Sequence, residues 1–341
     1  MVNLTLYTRT NCHLCDEVKA DLESLKESHP HRVAEIDVDS DPSLAARYGE
    51  AIPVIEVGPY VLRAPISRQD LAMTLGAAAD RQRHLKEIDE NQYQRNEVRR
   101  NTFTGSDKFS YWLSRRYMLL VILSLLLYVG LPVLAPVLMK ANATAPANVI
   151  YKMYSPLCHQ FAFRSFFLFG EQPYYPLRET GITGGENGLV DFETATGITD
   201  LHDANGTARL EARAFHGNET VGYKMALCER DIAIYGAMLF FAIIFTLTGR
   251  RIKPLHWALW ILIGLGPIGL DGFSQIISQF EINALATLLP YRESTPFLRT
   301  LTGFLFGFAT AWFGIPFIEE SMRETRQIFI RKLAIINAKE N

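Results

Sequence analysis

Only four cysteines occur in 341 residues, too few for a disulfide-dense secreted scaffold. An excess of one charge is also missing. The 34 Lys and Arg against 36 Asp and Glu leave a net charge of −2, which gives no footprint for nucleic acid. The N-terminus, MVNLTLYTRT, has no basic stretch leading into an apolar one. The expectation is therefore no cleaved signal peptide, with the first domain staying in the cytoplasm. Long apolar runs are absent too, but only from the first third of the chain. The remainder is rich in them, and the whole is too long for one typical domain.

Residues 3–8, NLTLYT, alternate as a strand does. In CDEVKADLESLKESH, Val18, Leu22 and Leu25 fall at helical spacing with charges between them. HRVAEIDVDSDP reads as a second strand entering a turn, and PSLAARYG as a short helix closed by Gly49. AIPVIEVGPYVLRAP reads as two strands joined at Gly58-Pro59, and SRQDLAMTLGAAA as a helix with Ser67 at its N-cap. The expected order over residues 1–80 is β-α-β-α-β-β-α.

Cys12 and Cys15 fall where the first strand enters the first helix. A helix N-terminus presents free N–H groups and partial positive charge, which stabilise a thiolate. Cys12 would then attack and Cys15, one turn later, would resolve. Two buried structural thiols, or half of a metal site, are the rival readings. A zinc site needs about four ligands, and His13 lies between the two cysteines. LTLYTRTNCHLCDEVKADLESL together with EIDVDSDPSLAARYGEAIPVIEV resembles the glutaredoxin-like branch of the thioredoxin superfamily. The resemblance implies an α/β thioredoxin-like fold and Cys12 and Cys15 as a redox-active pair. It also implies a cis Pro53 facing them, with glutathione or a thiol/disulfide protein as partner. The His13-Leu14 dipeptide differs from the common Pro-Tyr and Gly-Pro pairs and leaves glutathione dependence open.

Residues 81–116 are charged and compatible with a helical linker, interrupted at Gly105-Ser106. Apolar stretches follow at about 117–139, 232–248, 255–277 and 299–318. Each nearly matches the roughly 20 helical residues that cross a bilayer. Arg115 and Arg116 precede the first; Arg250, Arg251 and Lys253 lie between the second and third; Arg323, Arg326, Arg331 and Lys332 follow the fourth. Four spans with both termini in the cytoplasm place every one of these on the same side, as the positive-inside rule asks. The expectation is an α-helical polytopic domain over 117–320 in the plasma membrane, with a cytoplasmic tail at 321–341.

The segment between the first and second spans is then extracytoplasmic. NVIYKMYSPLCHQFAFRSFFLFG reads as a helix packed on the bundle, and about 171–226 as a small β insertion. LVDFE, ARLEARAF and TVGYKM are its expected strands, and Asn187-Gly188 and Asn205-Gly206 its turn signals.

A second constellation collects at the same side. It contains Cys158 and His159, Cys228 and Asp231, Asp271 and Gln275 in the third span, and Arg299 at the fourth. An ionisable residue such as Asp271 inside an apolar run is costly and rarely idle. SPLCHQFAFRSFFLFG, ALCERDIAIYGAML, GPIGLDGFSQ and RTLTGFLFGF resemble a family of integral membrane proteins known as DUF2085, which implies no activity. Three readings of Cys158 and Cys228 stay open. They are a structural disulfide, a metal site with His159 and Asp231 or Asp271, and a catalytic redox pair. A direct relay from Cys12 and Cys15 fails, because thiol exchange needs sulfur contact and ~30 Å of hydrocarbon intervenes.

The expected function is a membrane-tethered thiol–disulfide oxidoreductase. The rivals are a transport or scaffold protein with a regulatory thioredoxin-fold module, and a metal-dependent membrane enzyme using Cys158, His159, Cys228 and Asp271.

Overall fold

A computed structural model of the chain describes residues 1–184, 188–201, 206–279 and 291–340. It divides into two compact units, residues 1–117 with 320–341, and residues 118–319.

The first unit is built on a four-stranded sheet. Its strands are β1 (Val2–Thr8), β2 (His31–Asp37), β3 (Val54–Val57) and β4 (Tyr60–Arg63), in the order β2-β1-β3-β4. β1 runs parallel to β2 and antiparallel to β3, and β4 returns antiparallel on β3. The alternation in β1 feeds two cores, because successive side chains point to opposite faces. Val2, Leu4 and Leu6 pack with Val18, Leu22 and Leu25 of α1 (His13–Leu25) and with Leu71 and Leu75 of α3 (Arg68–Ile88). Tyr7 points the other way, into Ile36, Val38, Val54 and the Leu44 and Tyr48 side chains of α2 (Pro42–Tyr48). Fully burying a leucine contributes roughly 1.5–3 kcal/mol, so the central strand anchors both layers. Ser67 caps α3 reciprocally with Asp70. This is an N-terminal α/β domain of the thioredoxin-like kind.

The C-terminal residues of this unit pack on the second layer. Ile330 and Ala334 join the Tyr7 cluster, Arg331 pairs with Glu56 at 2.6 Å, and Gln327 accepts a hydrogen bond from Arg47 at 2.8 Å. α4 (Glu90–Asn101) has no buried residue, as a charged linker helix should. The helical run breaks over Thr102–Thr104, directly before Gly105-Ser106, and Gly105 opens α5 (Gly105–Lys140). Thr104 and Asp107 cap it reciprocally there, which turns the small residues into a start signal.

Within the second unit, α5 leads into a segment that carries α6 (Thr144–Tyr154), β5 (Ser165–Leu168), α7 (Phe192–Thr196), α8 (Thr207–Ala214), β6 (Gly217–Asn218) and β7 (Gly222–Cys228). β5, β7 and β6 form a small antiparallel sheet. The insertion is thus less β-rich than expected. Of the three expected strands, only TVGYKM lies on one. ARLEARAF is α8, because Ala, Leu, Glu and Arg all favour helix and Ala208 and Ala212, one turn apart, are the buried pair. LVDFE turns into α7 where the Asp191 carboxylate accepts the Thr194 N–H. Asn187 and Asn205 lie outside the described residues.

After β7 come α9 (Glu229–Leu247), α10 (Trp257–Leu259), a π-helical turn (Trp260–Leu265), α11 (Gly266–Gln279) and α12 (Pro296–Glu340). Among the described residues, four helices are long and apolar enough to cross a membrane: Gly105–Lys140, Glu229–Leu247, Trp257–Gln279 and Pro296–Lys339. The chain is a multi-pass membrane protein with a soluble-type α/β domain. α9 and α12 meet at two glycines. A Cβ on Gly307 would fall 2.0 Å from the Ile234 carbonyl oxygen, and one on Gly303 would fall 2.8 Å from that of Arg230.

Candidate functional site

Cys12 and Cys15 are joined as a disulfide with Cα atoms 5.2 Å apart. Cys12 is the N-cap of α1, and its carbonyl accepts the N–H groups of Cys15 and Asp16. Asn11, with φ of +62°, turns the chain into that cap. Cys15 is fully buried, whereas Cys12 is half-exposed and therefore the reachable sulfur. The Ile52–Pro53 peptide is cis and Pro53 is buried. Because Tyr7 pairs with Val54, Pro53 lies beside the end of β1, at the same sheet end as the cysteine loop. Asp16 lies in the first helical turn, and His13 pairs with Glu17 at 3.3 Å on the exposed face.

Beneath the sheet the same unit holds a polar cluster with no clear mark in the sequence. Tyr7 and Tyr48 stack at 4.2 Å, and both hydroxyls donate to the Glu56 carboxylate, which Arg331 also pairs. Burial and the Glu56 charge push the Tyr7 hydroxyl above the ordinary tyrosine range.

The second unit brings together only part of the second constellation. Cys158, Cys228 and Asp231 converge, with their two sulfurs and a carboxylate oxygen all within 4.8 Å of one another. Both thiols are free in this structure, with no bond between the two sulfurs. Their shared hydrogen bond holds Cys158 below the ordinary thiol value and pushes Cys228 well above it, with burial adding to the latter. Cys228 ends β7 and caps α9, and its strand pairs with β5 at Ser165. Cys158 is fixed through Gln160. The Gln160 N–H donates to the Cys158 sulfur at 3.5 Å, and its side-chain amide donates to the carbonyls of Tyr151 and Ala226, each at 2.9 Å. Lys224 lies fully buried next to this hook and donates to the Gln160 and Arg213 carbonyls. Burial lowers its ammonium to about 7.

His159 does not join the thiols. It is exposed and stacks on Phe161. Asp271 does not join them either, because stronger partners hold it. Its carboxylate pairs with Arg230, with Arg292 at 2.8 Å, and with the Ser294 hydroxyl at 2.8 and 2.9 Å. Two neighbouring arginines stabilise a buried carboxylate far better than a pair of thiols would.

Gln275 and Arg299 belong to a third group centred on Glu293. That carboxylate pairs with Arg299 and with Arg164 at 2.7 Å, and it accepts the Gln275 amide at 2.7 Å. Arg299 also reaches Glu229 at 3.4 Å. Sequence reasoning misses Arg292, Glu293 and Ser294. The available signal is the tight YREST run just before the fourth apolar stretch, where two charges and three hydroxyls enter a membrane segment together.

Residues 3–92 match the family described as a glutaredoxin-like domain (DUF836), and residues 208–313 match the family described as predicted membrane protein (DUF2085). A curated relative from Methanocaldococcus jannaschii, described as uncharacterized protein MJ1492, is 24% identical over 214 residues. That alignment spans 60% of this chain and 95% of the relative. No solved structure matches the chain at a significant level. The chain thus carries a glutaredoxin-like domain followed by a DUF2085 membrane domain.

Proposed function

We propose that this chain is a membrane-tethered thiol–disulfide oxidoreductase whose glutaredoxin-like domain faces the cytoplasm. The observation that carries the proposal is the asymmetry of the Cys12–Cys15 pair. Cys12, at a helix N-cap, is partly exposed, and Cys15, one turn on, is fully buried, at the sheet end that carries Pro53. In the reduced domain, the Cys12 thiolate attacks a substrate disulfide. The substrate S–S bond breaks, a Cys12 mixed disulfide forms, and the leaving thiolate takes a proton. Cys15 then attacks the Cys12 sulfur. The second substrate thiol leaves, and the domain holds the Cys12–Cys15 disulfide. Glutathione or a dithiol protein returns the two electrons.

The cytoplasmic orientation rests on the basic residues flanking the four spans: Arg115 and Arg116, Arg250, Arg251 and Lys253, and the group at 323–332. The lipid bilayer is then a permanent partner, and substrates are those that reach the membrane surface.

The test is a trapping experiment on the full chain. Cys15→Ser lets the first attack proceed and removes the resolving thiol, so one glutathionyl group from oxidised glutathione (the other leaving as glutathione), or a disulfide protein, should remain covalently attached at Cys12. Cys12→Ser should trap nothing, since Cys15 is buried. If Cys15→Ser forms no adduct while Cys12 alkylates freely, the oxidoreductase reading fails.

A further inference from the structure

We propose that Cys158, Cys228 and Asp231 form a binding site for a thiophilic divalent cation, Zn²⁺ in the first instance. The site is independent of the Cys12–Cys15 chemistry and does not rest on it.

The geometry is that of a ligand set. The three donor atoms lie within 4.8 Å of one another. Zn–S bonds of ~2.3 Å and Zn–O bonds of ~2.0–2.2 Å in a tetrahedron place such donors roughly 3.5–3.8 Å apart. Small closures therefore suffice to share one ion. A disulfide would bring the sulfurs to about 2.05 Å, and here they are unbonded. A disulfide also leaves the carboxylate without a purpose. Asp231 beside two thiols adds repulsion when either ionises, and a cation converts that repulsion into attraction.

The donors come from two stretches of chain, the segment after α6 and the β7–α9 junction. Cys158 follows α6, Cys228 ends β7, and Asp231 lies in the first turn of α9. Cys228 and Asp231 are three apart on a helix start, so they share a face. The Gln160 N–H bonded to the Cys158 sulfur, and the Gln160 amide bonded to Tyr151 and Ala226, supply the outer hydrogen bonds that orient a metal-bound thiolate. Thiolates select against Mg²⁺, Ca²⁺ and Mn²⁺, which prefer all-oxygen sets. His159 turns away onto Phe161, so three protein donors leave the fourth tetrahedral position to a water or an incoming ligand.

The experiment uses the full-length protein in detergent, with Cys12→Ser and Cys15→Ser introduced so that only this site offers thiols. After Zn²⁺ loading and gel filtration, elemental analysis should find about one zinc per chain. Exchange for Co²⁺ should give the intense sulfur-to-metal charge-transfer absorption of thiolate ligation, a readout that needs no further variant. Asp231→Asn, which keeps the shape of the side chain, should weaken retention at least about tenfold, the scale on which even outer-shell losses are felt. His159→Ala should leave retention unchanged. A chain that retains no zinc after loading overturns the proposal. So does zinc that survives both Cys158→Ser and Asp231→Asn, or an intact mass showing a Cys158–Cys228 disulfide in the loaded protein.

Discussion

Replacing Gly307 by alanine should loosen the α9–α12 contact, and the structure supplies the size of the effect. The added Cβ would fall 2.0 Å from the Ile234 carbonyl oxygen, and the next nearest atoms are also backbone. An ordinary carbon–oxygen contact is about 3.3 Å or more, so one helix must retreat by roughly 1 Å. No side chain can rotate away to absorb the clash. Overpacking of this kind costs about 1–3 kcal/mol, and a radial gap of about 1 Å forfeits a quarter to a half of each neighbouring dispersion contact. Gly314, two turns along the same helix, faces open space, with nothing within 4 Å of where an added Cβ would stand. Gly314→Ala should therefore be neutral or should gain up to about 1 kcal/mol of helix propensity. Both variants change one residue in one helix by one methyl group. Denaturant-induced unfolding in detergent micelles, followed by circular dichroism, should therefore separate them by at least about 1 kcal/mol. Equal midpoints, or a Gly314 variant weaker than the Gly307 variant, would refute the close-contact reading.

Asp271→Ala should destabilise the membrane domain by about 3–5 kcal/mol, because it leaves Arg230 and Arg292 without their shared carboxylate; the same unfolding assay measures it. Asp271→Asn keeps hydrogen bonding and should cost less. Cysteines introduced at 178–182 should react with an impermeant maleimide in intact cells, while cysteines at 250–253 should not, and labelling of the latter group would invert the proposed orientation. In the Cys15→Ser chain, the Cys12 alkylation rate should rise with pH along a curve whose midpoint lies below the ~8.5 of a free thiol, because the α1 N-terminus favours the thiolate. A midpoint at or above that value would remove the helix-start argument.

The α/β domain is legible in the sequence because its signals are local. Alternation in NLTLYT, 3.6-residue spacing of Val18, Leu22 and Leu25, and Ser67 before Asp70 each state a conformation within a few residues. The apolar spans are legible for the same reason. The packing of Ile330 and Ala334 on the Tyr7–Tyr48 layer is not, since it joins the two ends of the chain, and nothing in IRKLAI marks a partner. The β reading of the insertion fails at α8, where ARLEARAF alternates in polarity yet is built from strong helix formers. With no β-branched residue in the stretch, propensity decides and alternation does not.

The membrane-domain site is half legible, and the half that escapes follows from helix geometry. CERD at 228–231 reads in sequence as one group serving one site. In a helix, residues three apart share a face while the two between them point elsewhere. Cys228 and Asp231 therefore turn together toward Cys158. Glu229 and Arg230 turn away from it, toward Arg299 of α12 and Asp271 of α11 respectively. One four-residue helix start thus feeds two chemically different clusters, a thiol–carboxylate set and an ionic network. Sequence alone lists Asp271 beside the thiols and does not separate the two clusters. Arginine outcompetes the thiols for that carboxylate, since a guanidinium fork meets a carboxylate with two directed, charge-assisted hydrogen bonds. The same division explains why the two clusters can be perturbed separately. Glu229 and Arg230 pair within the ionic network, and Cys228 and Asp231 belong to the thiol set, although all four sit at the start of α9.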